Sequence, residues 1–243
     1  MLRVRLAGGL ALELDGRPLP PPRSRRARAL LAWLALRPGM HARAELAARF
    51  WPDVLDQSAR TSLRAALSEL RDALGPGAAH LRSTREAVGL DGGDELWIDA
   101  RAFDQLLAEG RLAEAVDTCA GELLAGLDEE WVHDARAVHG ERMAAVLEQL
   151  AQAAERAGNH GEAVRRTRAA VAYDPLAEEP NRRLISRLAG AGDRASAIAA
   201  YDHLADRLRT AVGIAPSAAT RELVAAVRAA AVPPAHPTEE AHP

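Results

Sequence analysis

Leu2, Val4 and Leu6, then Leu10, Leu12 and Leu14, alternate with other residues on either side of Gly8-Gly9. Period two broken by paired glycines predicts a β-hairpin with one buried face. After "LPPPRSRR" the period changes. Ala27, Leu30, Leu31, Leu34 and Ala35 recur at helical spacing, with Ser24 placed to cap the helix and "RPGM" to stop it. A second, short helix runs through "ARAELAARF" and closes at Trp51-Pro52. A third begins with Asp56 or Ser58 as its cap and ends at Gly75-Pro76. "HLRSTREAVGL" then predicts two short strands around a turn. The order is hairpin, three helices, hairpin.

From about Asp99 the pattern is helical, with seams of small residues. "RAGNHGEAVRRTRAAV" turns at Gly158 and "GAGDRASAIAAYDHL" turns at Gly192, which sets Asn159 against Asp193 and Ala163 against Ala197. The spacing, about 34 residues, is that of the helix–turn–helix unit of tetratricopeptide-type arrays. Ala163, Ala170 and Pro175 fall at positions of that consensus, and the second copy lacks the final proline. "AEGRLAEAV" around Gly110 is a weaker third copy, out of register. The tail "VPPAHPTEEAHP" is Pro-rich, lacks a packing face, and is expected to be disordered.

The third helix has a two-sided pattern. At about 100° per residue, Leu63, Leu67, Leu70 and Leu74 form one narrow apolar stripe. Arg60, Arg71, Arg64, Gln57, Ser68 and Thr61 form a contiguous arc beside it, and Glu69 and Asp72 lie beyond the arc. A helix whose outer face enters the major groove needs this arrangement. Arginine pairs bidentately with guanine O6 and N7, and hydroxyls serve bases or phosphates. The alternative is a solvated face whose arginines pair with Asp56, Glu69 and Asp72. Arg82 and Arg85 flank the turn of the last hairpin, where a wing reaches an adjacent minor groove or its phosphates. A solvated β-turn explains the same two residues. Arg23, Arg25, Arg26 and Arg28 stand where they can meet backbone phosphate.

Charge favours the nucleic-acid alternative. The chain of 243 residues carries a net charge of −3, but Met1–Leu90 sums to +7 and Asp91–Pro243 to −10. A basic front and an acidic back suggest two domains, the front one facing a polyanion. All the cationic side chains outside histidine are arginine. With no lysine, a P-loop and a Schiff-base enzyme are both excluded. The one cysteine, Cys119, rules out an internal disulfide and a Cys-rich zinc site. It lies in an apolar run, as a buried thiol does. No secretory signal and no membrane span are expected, which points to the cytoplasm. His133 and His139 sit near Glu129, Glu130 and Asp134 without an HExxH spacing, so no metal is expected, and no cofactor. The four tryptophans are scattered, as core or interdomain anchors are, and too sparse for base stacking.

The residues now carry a resemblance. "RARALLAWLALRPGMHARAELAARFWPD" followed by "ARTSLRAALSELRDALG" resembles the OmpR-type winged helix of the antibiotic-regulatory (SARP) transcription factors. "AYDPLAEEPNRRLISRLAGAGDRASAIAAYDHLADRLRTAVGIAPS" is similar to the bacterial transcriptional activator domain that follows it there. At the wing the chain reads "AVGL" where members commonly carry an aromatic near "GYRL". With no nucleotide-binding module expected, the chain resembles the short form of the family.

The resemblance implies a mainly α chain: a winged helix-turn-helix domain at 1–92, a tetratricopeptide-like helical repeat domain at 98–231, and a disordered tail at 232–243. It implies double-stranded DNA binding by the third helix, often at direct repeats, and activation by recruiting RNA polymerase. The recognition face falls on Arg60, Thr61, Arg64, Ser68 and Arg71. The acidic half is expected to form a homodimer, fix the spacing of two winged helices, or touch polymerase. The rival reading is a protein-interaction scaffold or signalling adaptor whose winged helix no longer reads DNA. An enzyme is not expected, because no acid–base or nucleophile constellation is present.

Overall fold

The computed structural model describes residues 1–230, so the tail at 232–243 lies outside it. The chain forms two compact units, one from Met1 to His139 and one from Gly140 onward. The strands are β1 (Leu2–Arg5), β2 (Ala11–Leu14), β3 (Arg17–Leu19), β4 (His41–Ala42), β5 (Leu81–Ser83), β6 (Ala87–Leu90) and β7 (Leu96–Ile98). The helices are α1 (Arg25–Leu36), α2 (Arg43–Phe50), α3 (Asp56–Leu74), α4 (Asp99–Ala108), α5 (Leu112–Thr118), α6 (Glu130–Arg156), α7 (His160–Tyr173), α8 (Glu178–Gly190), α9 (Arg194–Val212) and α10 (Ala218–Ala229).

In the first unit, β1 and β2 form the expected hairpin, with Leu2 opposite Leu14 and Val4 opposite Leu12. Alternation sends Leu2, Val4, Leu6 and Leu12 inward, each at most 3% exposed. Two strands that the periodicity did not indicate complete the sheet, in the order β3-β2-β1-β7, with β7 parallel to β1. Helix α1 is buried on nearly every side, from Ala29 to Ala35, and forms the centre of the core. Ser24 caps it as expected, its Oγ accepting from the Ala27 N–H at 3.1 Å. The last-turn carbonyls of Leu34 and Ala35 accept from Arg101 on α4 at 3.0 and 2.8 Å. Trp33 packs edge-on against Phe50 and His41.

The segment after β6 also belongs to this unit. Asp99 is 2% exposed and accepts from the Leu6, Ala7 and Ala100 N–H groups at 2.8–2.9 Å. Burial pushes its carboxyl up, and those three donors oppose the shift. Farther along, Leu124 N–H donates to the Leu6 carbonyl at 2.7 Å. The first compact unit therefore runs well past residue 92.

In the second unit, the two predicted repeats have the same turn. Gly158 and Gly192 have φ of +75° and +85°, the left-handed region that glycine enters without strain. Asn159 accepts from the Glu162 N–H at 3.1 Å and Asp193 from the Ser196 N–H at 3.0 Å, which caps α7 and α9 alike. The backbone bonds match one for one: Asn159 to Ala154 and Asp193 to Leu188, Gly158 to Glu155 and Gly192 to Ala189. Ala163 and Ala197 are both buried where helices meet. The weaker copy, in the first unit, repeats this turn too, with Gly110 N–H bonding Leu107 and Arg111 N–H bonding Leu106. Arg187 on α8 ties three helices, donating to both Glu148 oxygens at 2.7 and 2.8 Å and to Thr167 Oγ1 at 2.6 Å.

Candidate nucleic-acid interface

Helix α3 docks through Ala59, Leu63, Ala66, Leu67, Leu70 and Leu74, each at most 5% exposed. Each buried leucine contributes about 2 kcal/mol, so this stripe sets which face of the helix points outward. The expected cap is corrected. Leu55 is the cap residue and makes no side-chain bond, and Asp56 is the first helical residue. There its carboxylate suits the positive end of the helix dipole. Gly75, with φ of +53°, ends the helix as expected.

All five arc residues, Arg60, Thr61, Arg64, Ser68 and Arg71, are exposed. Their local bonds are neutral. Thr61 Oγ1 donates to the Gln57 carbonyl at 3.0 Å, and Arg64 donates to Thr61 Oγ1 at 3.1 Å and to the Arg60 carbonyl at 3.4 Å. Arg71 donates to the Leu67 carbonyl at 3.5 Å. None of the three arginines forms an ion pair among the described residues, so the solvated alternative of pairing with Asp56, Glu69 and Asp72 is absent. Glu69 turns away to the Ser24 N–H and hydroxyl, at 2.5 and 2.6 Å. Those bonds, the hydroxyl's first, hold its carboxyl below the usual range.

The wing is a three-stranded sheet, β4-β6-β5. Val88 and Leu90 fill its core side in place of an aromatic. Gly89 lies so close to the Gly39 carbonyl that a Cβ there would collide with it. The turn from Thr84 to Ala87 is fastened by Thr84 Oγ1, which accepts from the Glu86 and Ala87 N–H groups.

One shallow groove brings together Arg60 and Arg64 of α3, Arg85 and Glu86 of the wing turn, and Arg43 at the start of α2. Arg82 is exposed on β5 outside that lining, and Ser68 lines a different groove with Arg23 and Glu69. Of the basic run, Arg25 pairs with Glu129 at 3.2 Å, and Arg28 holds the preceding loop through the Pro22 and Arg23 carbonyls.

Arg43 was missed by the sequence reading. Its Nε donates to the Thr84 carbonyl at 2.9 Å, a guanidinium nitrogen donates to Ser83 Oγ at 2.6 Å, and its backbone N–H donates to the Glu86 carbonyl. Burial first, then the like charges of Arg71 and Arg64, lower its guanidinium below the ordinary arginine value. The available signal was a cation in the first turn of a helix, at the end whose dipole repels it.

His133 meets Asp128 at 3.2 Å, and the His139 ring packs against Phe103. Cys119 is buried, which pushes its thiol up. Among the described residues no three His, Cys, Asp or Glu side chains gather as a metal site needs. No described helix is long and apolar enough to cross a membrane.

Comparison with known proteins adds three findings. The profile of the bacterial transcriptional activator domain matches residues 98–228. The regulatory protein AfsR of Streptomyces coelicolor is 32% identical over 238 residues, covering 91% of this chain and 24% of that protein. The fold matches that of Mycobacterium tuberculosis EmbR, solved in complex with a low-affinity phosphopeptide. That match has a TM-score of 0.67 and 22% identity, and covers 94% of this chain and 65% of that one. The chain thus spans about a quarter of AfsR and just under two thirds of EmbR.

Proposed function

The chain belongs to the SARP-type transcriptional regulators that carry a bacterial transcriptional activator domain, and we propose that it binds double-stranded DNA at direct-repeat promoter sites and recruits RNA polymerase. The observation that carries this reading is the groove where Arg60, Arg64 and Arg85, with Glu86 beside them, form no ion pair among the described residues and stand next to the fastened Arg43. Arginine–phosphate contacts supply most of the affinity, and α3 side chains reaching base edges choose the sequence. Arg60, Thr61, Arg64, Ser68 and Arg71 are the proposed reading residues, with Arg82 and Arg85 on the wing. Two copies on tandem half-sites would present their activator domains together, one winged helix (1–92) and one repeat domain (98–231) from each. The protein acts where its promoter is, in the cytoplasm.

The test is selection of genomic DNA fragments by the purified full-length protein, followed by a search for a shared motif. A repeated motif with fixed half-site spacing is the expected result. If a folded protein enriches nothing, while still binding DNA weakly at low salt, the arginines form only an electrostatic surface. The scaffold reading then takes over.

A further inference from the structure

A second recognition surface lies in the second unit, in a groove of about 420 Å³ between α7, α8 and α9. Its floor includes the apolar side chains of Val171, Leu184 and Leu188, at 3–6% exposure. Arg168 on α7 and Arg207 on α9 also line it, with His203 one turn before Arg207. Both arginines are exposed, and neither forms an ion pair among the described residues.

Several neighbouring arginines on α7, α8 and α9 are instead held by acids. Arg165 and Arg166 pair with Glu162, Arg182 and Arg183 with Glu179, Arg187 with Glu148, and Arg209 with Asp206. Asp193 feels Arg168, but its carboxylate is already engaged. Its bonds with Ser196, and in smaller part Arg168, hold it below the usual range. Arg168 and Arg207 are thus among the arginines of this unit that no acid holds among the described residues, and both line one apolar groove.

Asn181 supplies an independent observation. It is 2% exposed and lines the same groove. Its amide nitrogen donates to the Pro175 and Ala177 carbonyls at 3.3 and 2.8 Å, which occupies both hydrogens and fixes the rotamer. Its Oδ1 has no protein donor among the described residues. That oxygen is an acceptor that a peptide N–H can meet.

We propose that this groove binds an extended acidic peptide segment of a partner protein. Apolar side chains of the segment pack on Leu184 and Leu188, a backbone N–H donates to Asn181 Oδ1, and carboxylates meet Arg168 and Arg207. The inference stands apart from the DNA-binding reading, since no residue is shared.

The test uses the full-length protein and a fluorescein-labelled peptide of about ten residues alternating Leu with Asp and Glu, followed by anisotropy. A matched peptide with Lys in place of the acids is the control. The acidic peptide should saturate at about 10–100 μM, and the Lys peptide should bind at least about tenfold more weakly. Arg168→Ala/Arg207→Ala should weaken the acidic peptide about tenfold with an unchanged circular dichroism spectrum and melting curve. Arg60→Ala/Arg64→Ala, which removes the other basic surface, should leave peptide affinity as it was. The proposal is overturned by no saturable binding or by equal affinity for the Lys peptide. Loss confined to the Arg60/Arg64 variant would also overturn it.

Discussion

Arg64 donates only to neutral oxygens of its own helix, the Thr61 hydroxyl and the Arg60 carbonyl. Such bonds exchange readily for a base acceptor, whereas a carboxylate would hold the guanidinium against one. Arg64→Ala should therefore cost about 1–3 kcal/mol at the cognate site with the fold intact, as read by gel shift and circular dichroism. Unchanged affinity would remove Arg64 from the reading set. Glu148 tests the opposite situation, a carboxylate held by arginine. Burial raises its carboxyl, but the bonds from Arg187 and Gln152 and the nearby arginine charges outweigh burial and leave it lowered from 4.5. Its contribution is present above the unfolded value and is lost as pH falls through the folded one. Glu148→Gln should cost about 2–3 kcal/mol at neutral pH, a gap that narrows below about pH 4. Urea midpoints at the two pH values decide it, and an equal gap at both would refute the assignment. The arc on α3 was legible because period and charge are properties of one helix. Arg43 was not, since its partners Thr84 and Ser83 lie 41 and 40 residues away.

At the scale of elements, length decided what could be read. The long helices repeat their apolar face over several turns, and α3 supplies four leucines in one stripe. Strands β3 and β7 have three residues each, too few to display an alternation, and both form by pairing with the hairpin already present. The turn at Gly110 was nearly illegible because only its backbone bonds repeat. Caps lie between these extremes. Ser24, Asn159 and Asp193 bond the N–H three residues on, while α3 begins with no side-chain cap. Because Asn159 and Asp193 occupy one geometry, alanine at either should lower stability by a similar amount, about 1 kcal/mol. Chemical denaturation of the two variants measures this. A several-fold difference between them would mean that the turns are alike in bonds only.

For the whole molecule, charge and packing mark different boundaries. Net charge changes sign near residue 90, and the activator-domain profile begins at 98, yet the first compact unit continues to His139. Charge patterning reports which surface faces a polyanion. Packing follows Asp99, Arg101 and Leu124, whose partners Leu6, Leu34 and Ala35 belong to the first sheet and helix. With Arg43, Arg60, Arg64 and Arg85 in one groove, the logarithm of the binding constant should fall with that of salt at a slope of about −3 to −4. A titration from low to physiological salt gives the slope, and a value near zero would exclude phosphate contact by this groove. Arg43 has a mechanical consequence as well. It clamps the wing turn to the start of α2, so under the proposed reading the wing and α3 would meet a duplex with their spacing fixed. A duplex seated there must bring its two grooves to the spacing the protein presents. The elastic cost of bending then falls on the nucleic acid, and discrimination extends to base steps that no side chain touches.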